Sequence, residues 1–273
     1  MRPPLTLDIG WGDLVSAALG VVAARDPESL AADVERRWSA RGDALAALSV
    51  RSLLDLWLRA AELPPGSAVL MTAFTIPDMR RIVERHGLVP VVVDLPADTF
   101  APTVAALEAA RTPRTSAVIV AHLFGSRTAL DDVCAWAARH GVAVIEDCAQ
   151  AYAADGWTGH DEADLALFSF GTIKTATALG GGIGRVRDPA VRERMRALLA
   201  GDPPQSRTAF ATKVLKAAVL RALSNPAVYG AFVAACRATG RRHDDVVRAA
   251  VRGFPGADVI TAVRRRPSAP QQQ

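Results

Sequence analysis

Between residues 68 and 170 the chain repeats one unit: a short apolar run, a segment with helical spacing, then another apolar run. The runs begin at Ala68-Val69-Leu70-Met71, continue through Val89 to Asp94 and Ala117 to Val120, and end with Val142 to Glu146 and Ala166 to Phe170. Helical spacing fills residues 78–86, 105–110 and 128–139 between them, with Leu130, Val133, Trp136 and Ala137 on one face of the last. That alternation predicts an α/β fold, a mostly parallel sheet covered by helices. A dinucleotide site would need Gly-x-Gly-x-x-Gly after the first strand; the glycines at 180–184 have neither the spacing nor the place, which disfavours an NAD enzyme.

The chemistry gathers between Val142 and Gly182. One apolar run ends in Glu146-Asp147-Cys148-Ala149-Gln150; the next delivers Ser169-Phe170-Gly171-Thr172-Ile173-Lys174 ahead of Gly180-Gly181-Gly182. An acid at the carboxyl end of a strand sits where open α/β sheets bind ligands. A lysine just past an apolar strand loses water contacts, which lowers its pKa and makes its amine a nucleophile. Pyridoxal phosphate needs such a lysine for its Schiff base and an acidic partner for its ring nitrogen. Lys174 and Asp147 suit those two roles. Lys174 is one of three lysines, with Lys213 and Lys216, in a chain that otherwise uses arginine. A guanidinium cannot be deprotonated to form a Schiff base.

The segment from Val144 to Gly182, together with Pro65-Gly66-Ser67-Ala68-Val69-Leu70, Gly87-Leu88-Val89-Pro90 and His122-Leu123-Phe124-Gly125, resembles the DegT/StrS-type aminotransferases. These are fold type I pyridoxal-phosphate enzymes, many of them acting on nucleotide sugars. The resemblance covers residues 49–200, and its motifs occur in the family's order. It implies that Lys174 carries the cofactor, that Asp147 keeps the ring nitrogen protonated, and that Gln150 bonds the ring hydroxyl. It further implies that Ser169 and the helix start at Ser52 hold the phosphate, and that His122 lies near the cofactor edge. Arg51 stands where the family has a small residue: it either adds a charge-assisted bond to the phosphate or is a surface arginine beside a capping serine. Ile76 stands where the family carries a stacking aromatic; Phe74 either substitutes for it from a shifted backbone or packs in the core, and core packing is the expectation. The resemblance also implies a homodimer with the cofactor near its interface. A dehydratase variant of the family replaces the lysine, so Lys174 argues against it.

After residue 200 the likeness fades. Residues 207–222 and 226–238 are apolar and helical, 244–252 predict a further helix, and the chain looks shortened, as though a small domain were begun and not completed. The expected organisation is an N-terminal helical arm over 1–48, a cofactor-binding large domain over 49–200, and a helical, incomplete part over 201–273. The two apolar helices are expected to pack on the sheet, form a dimer contact or lie on a membrane surface.

Charge and cysteine usage narrow the partners. A net charge of +4 and a pI near 9.3 are compatible with a solvated arginine-rich surface or with attraction to an anionic substrate or membrane, and no interleaving of basic and aromatic residues points to nucleic acid. Cys134, Cys148 and Cys236 are far apart with no CxxC spacing, so neither a disulfide framework nor a metal site is expected, and a cytoplasmic protein is. The apolar residues 14–24 are flanked by acids and read as an amphipathic helix rather than a leader. No run reaches membrane-spanning length. The expected function is transfer of an amino group from an amino acid such as glutamate to a keto substrate, a nucleotide-linked sugar among the candidates. The alternative is a non-catalytic regulatory or scaffold protein of the same fold, for which Ile76, Arg51 and the missing small domain speak.

Overall fold

A computed structural model describes residues 7–23, 26–240, 242–243, 245–246, 258–268 and 271. Seven strands form one sheet: β1 (Ala44–Ala47), β2 (Ala68–Thr72), β3 (Val89–Val93), β4 (Thr115–Ala121), β5 (Ala143–Asp147), β6 (Leu165–Ser169) and β7 (Gly182–Val186). Their order is β1-β7-β6-β5-β4-β2-β3. β3, β2, β4, β5 and β6 pair in parallel, and β7 runs against both β6 and β1. The mostly parallel α/β sheet expected from the alternation is therefore present, with β7 as its one reversed strand.

Each strand's two-residue period sorts its side chains onto two faces. Val69 and Met71, Ala117 and Ile119, Ile145, and Leu165 and Leu167 point to one side. There they pack on α3 (Val50–Ala61), α4 (Pro77–Arg85), α7 (Pro189–Gly201) and α10 (Val259–Val263). Leu70, Val118, Val120 and Val144 point to the other, under α5 (Val104–Ala110) and α6 (Asp131–His140). α3 is the central helix: nine of its twelve residues are buried, and Ser49 caps it by accepting the Ser52 N–H at 3.1 Å.

The arm contains α1 (Trp11–Val22) and α2 (Pro27–Trp38). It ends sooner than the expected boundary at residue 48, because Ala44–Ala47 is the edge strand β1. Ala44-Leu45-Ala46-Ala47 is too short a run to announce a strand; pairing with β7 makes it one. Glu35 locks α2 down, accepting the Ala46 N–H at 2.9 Å and pairing with Arg196 of α7 at 2.8 Å. The helical segments expected after residue 200 form α8 (Arg207–Leu223) and α9 (Pro226–Ala238). α8 packs against α1 rather than on the sheet, through Phe210, Val214, Ala217 and Leu220 against Leu14. The expected helix over 244–252 lies largely outside the described residues.

Candidate active site

The face alternation carries to the strand ends. Asp147 follows Ile145 and Ser169 follows Leu167, so both point to the α3 side, where the N-terminus of that helix arrives. Gly182 lets it come close: a Cβ there would lie 2.8 Å from Ser49 C and Val50 N and 3.1 Å from Phe168 O. Beyond β6 the chain turns through Gly171–Lys174, with the Lys174 N–H bonded to Gly171 O at 2.9 Å. Phe170 O then accepts both Ala178 N–H and Gly180 N–H at 3.0 Å, which closes the loop and holds Lys174 over the sheet. Gly180 and Gly181 have φ of +150° and +94°, the backbone freedom expected of that glycine run. Ala176 and Leu179 share the left-handed region at φ 55° and 58°, and Asp8 of the arm accepts the Ala176 N–H at 2.7 Å. Non-glycine residues persist in that region only where surrounding structure holds them.

The result is a cavity of about 840 Å³ at the carboxyl ends of the parallel strands. Arg51, His122, Asp147, Gln150, Ser169 and Lys174 all line it. Ser52 does not: it is buried one turn inside α3, its hydroxyl 3.1 Å from that of Ser49, and Ser49 takes its place in the wall. Helix geometry explains the exchange, since the capping residue stands at the open end of the helix.

Burial sets the electrostatics. Asp147 is 8% exposed, and burial raises its pKa against the opposing pull of the Ala149 N–H, which it accepts at 3.1 Å, and of Lys174, His122 and Arg51. Burial lowers the pKa of Lys174, partly offset by Asp147 and aided by Arg51. The neighbouring thiols are unreactive: burial pushes Cys148 well above 9.0 and Cys134 to about 12. Of the two lysines in the wall whose pKa burial lowers, Lys174 and Lys213, Lys174 is the one coupled to Asp147.

The other expected residues are held in distinct ways. The Ser169 backbone pairs with β7, and its hydroxyl has no hydrogen-bond partner among the described residues. Gln150 Oε1 accepts the Phe124 N–H at 3.2 Å and steadies Phe124 at φ 55°. Arg51 pairs with Asp78 of α4 at 2.9 Å while lining the cavity. His122 sits in the wall, but both ring nitrogens are engaged behind it. Nδ1 accepts the Thr128 N–H at 3.0 Å, so the proton is on Nε2, which faces Glu146 at 3.0 Å. Glu146 is fully buried and also accepts the His160 N–H at 2.7 Å. Ile76 lines the cavity, 42% exposed. Phe74 does not join the core as expected: it is 51% exposed at the cavity, its ring edge-on to Phe100, which meets Phe124 in turn.

Three lining residues escaped sequence reasoning. Thr75 and Gln205 each bury a side-chain oxygen (Oγ1 and Oε1) that has no partner among the described residues. Lys213 reaches in from α8, half-buried, its pKa lowered by burial. Its rarity among the arginines was the one available signal.

Known proteins share the family and the fold. The DegT/DnrJ/EryC1/StrS aminotransferase family model matches residues 36–214, wider at both ends than the stretch whose motifs are legible by eye. The UDP-N-acetyl-3-dehydro-alpha-D-glucosamine 3-aminotransferase of Acidithiobacillus ferrooxidans is 39% identical over 148 residues, 53% of this chain and 40% of that protein. The crystal structure of DesI with its TDP-sugar product is 30% identical with a TM-score of 0.61, covering 71% of this chain and 51% of that one. The PLP form of Spr1654 from Streptococcus pneumoniae, 22% identical, superposes with a TM-score of 0.63 over 73% of this chain and 58% of its own. The chain thus spans about half the length, or less, of the proteins it matches. The chain belongs to the DegT/DnrJ/EryC1/StrS aminotransferase family.

Proposed function

We propose that the protein is a pyridoxal-phosphate-dependent aminotransferase that takes an amino group from an amino acid such as glutamate and passes it to a keto group on a nucleotide-linked sugar. One observation carries the reading: a desolvated lysine and a buried carboxylate face one cavity beside the open end of α3. The donor set fits the cofactor. Ser49, the first N–H groups of α3 and the unengaged Ser169 hydroxyl suit a phosphate. Asp147, whose ionisation is costly without a cation beside it, suits a protonated ring nitrogen. Gln150 has its amide NH₂ left to donate to a ring oxygen.

Pyridoxal phosphate, when bound, supplies a carbonyl for an amine and a ring that takes up electrons from the substrate carbon. Lys174 holds the cofactor and then, as a free amine, moves a proton at the substrate carbon. Asp147 keeps its positive partner in place. His122, oriented by Glu146, supports the wall beside Asp147, to whose carbonyl its N–H donates at 3.0 Å. Lys213, Gln205 and Arg265 give the far wall a polar, cationic lining that suits the anionic groups of donor and acceptor. Residues after 200 thus act as a second unit closing over the large domain.

The protein works as a homodimer, with the exposed Phe74, Phe124 and Ile173 at the cavity mouth as the contact. Its three free, buried cysteines suit the cytoplasm. No helix among the described residues is long and apolar enough to cross a membrane alone.

The test is the visible absorption spectrum of the protein with added pyridoxal phosphate, before and after glutamate, beside Lys174→Ala. A band that requires Lys174 and bleaches with glutamate is expected. A Lys174-dependent band unmoved by any amino acid would support the non-catalytic reading, which Ile76 in place of an aromatic favours. No band at all would overturn the cofactor assignment.

A further inference from the structure

The C-terminal helices carry a charge bias that the cavity does not use. Residues 203–243 contain seven Lys and Arg and no Asp or Glu, so all 28 acidic residues of the chain lie elsewhere. Lys213 is turned to the cavity, but Arg207, Lys216, Arg237 and Arg242 are exposed. Among them stand exposed apolar side chains: Leu215 at 65%, Val219 at 52% and Val228 at 44%.

α1 packs along α8 and extends this surface. Its inner side, with Leu14, meets Phe210 and Val214. Its outer side shows Trp11, Val15, Leu19 and Val22, which are 54–79% exposed. Steps of four, four and three residues place all four on one helical face. A stripe of that size left in water marks an interaction surface. α8 and α9 have the length and composition of a span only as a pair bent by 102°, neither alone, and an exposed apolar side flanked by cations suits such a bent pair to lying on a bilayer.

Charge selects the occupant. A second copy seated face to face would set the same cations against each other, because a two-fold contact pairs a patch with itself. An anionic lipid surface receives both parts of the pattern: apolar side chains enter the acyl boundary while Lys and Arg reach the phosphates. The nearby acids are exposed but already partnered: Asp13 accepts the Gly10 N–H at 2.8 Å, Asp8 the Ala176 N–H at 2.7 Å, and Asp245 lies 3.9 Å from Arg242. We propose that the exposed sides of α1, α8 and α9 form a docking face for an anionic membrane surface, made of residues other than Ala209 and Lys213, through which α8 lines the cavity.

Co-sedimentation of the full chain with phosphatidylcholine vesicles, and with vesicles containing phosphatidylglycerol, tests this. Binding about tenfold tighter to the anionic vesicles at low salt is expected, with the advantage lost at about 0.5 M salt. Leu19→Glu and Leu215→Glu, both at exposed positions, should each weaken binding several-fold while leaving thermal melting unchanged. Lys216→Glu with Arg237→Glu should remove the preference for anionic lipid. Equal binding to both vesicles, or binding to neither, would overturn the proposal. So would a concentration-dependent dimer that Leu19→Glu dissolves, since it would identify a second copy as the occupant.

Discussion

Lys174 gains its reactivity from position, not from residue type. Burial lowers its pKa from the ordinary 10.5, so its free-amine fraction near neutral pH exceeds that of a surface lysine. Reaction of the protein with pyridoxal phosphate should therefore rise with pH about a midpoint below 10.5, followed as visible absorbance, and Lys174→Arg should abolish it. A midpoint at or above the ordinary value would remove the case for an activated amine. The sequence already announced this lysine through its strand-end placement and its rarity. It did not announce which way His122 faces. Register decides that: Ala121 pairs with Asp147 and Val120 with Glu146, so His122, one residue past Ala121, falls on the Glu146 side. No reading of one strand alone contains the alignment of two.

At the scale of elements, the approach of α3 to the sheet builds the phosphate end of the site. Gly182 permits it, since its missing Cβ is the gap into which Ser49 and Val50 fit. Gly182→Ala should cost about 2 kcal/mol, measured by denaturant unfolding, because the obstructing atoms are backbone that no rotamer change can move. Affinity for pyridoxal phosphate should fall with it. A variant of full stability and affinity would show that the close packing does not shape the site. β2, β4, β5 and β6 were legible as apolar runs because they are buried on both faces, and the edge strand β3 was legible from the same composition although Val89 and Val92 are exposed. β7 was not: Gly182-Ile183-Gly184 has the composition of a loop and becomes a strand by pairing with β6 and β1.

Across the whole molecule, Asp55 ties the C-terminal segment to the large domain. Its carboxylate is 1% exposed and accepts from Arg264 at 3.1 Å, with His86 at 2.9 Å and Arg59 at 3.5 Å. Burial raises its pKa, but the bonds from His86 and Arg264 together outweigh that and hold it below the ordinary value. A depressed folded pKa means that the contribution to stability is complete above the unfolded value. It is lost as the pH falls through the lower folded one. Asp55→Asn should cost about 2–3 kcal/mol at neutral pH, the lower part of the range for a buried pair because Arg264 is partly exposed. The gap in melting temperature between wild type and variant should close as the pH is taken below 3.8. A gap that does not change with pH would show that the ionised carboxylate is not the stabilising form.

By itself the sequence determined the alternating α/β order, the strand-end placement of Asp147 and Ser169, and the loop lysine, because burial periodicity and turn chemistry are local properties of the chain. Only the tertiary structure decided that Ser49 rather than Ser52 reaches the cavity, that Phe74 is left at its mouth, and that Lys213 arrives from a helix that begins well after the motif ends at Gly182. Those outcomes depend on which faces of separate elements meet, and that is settled by packing and register between segments distant in the chain.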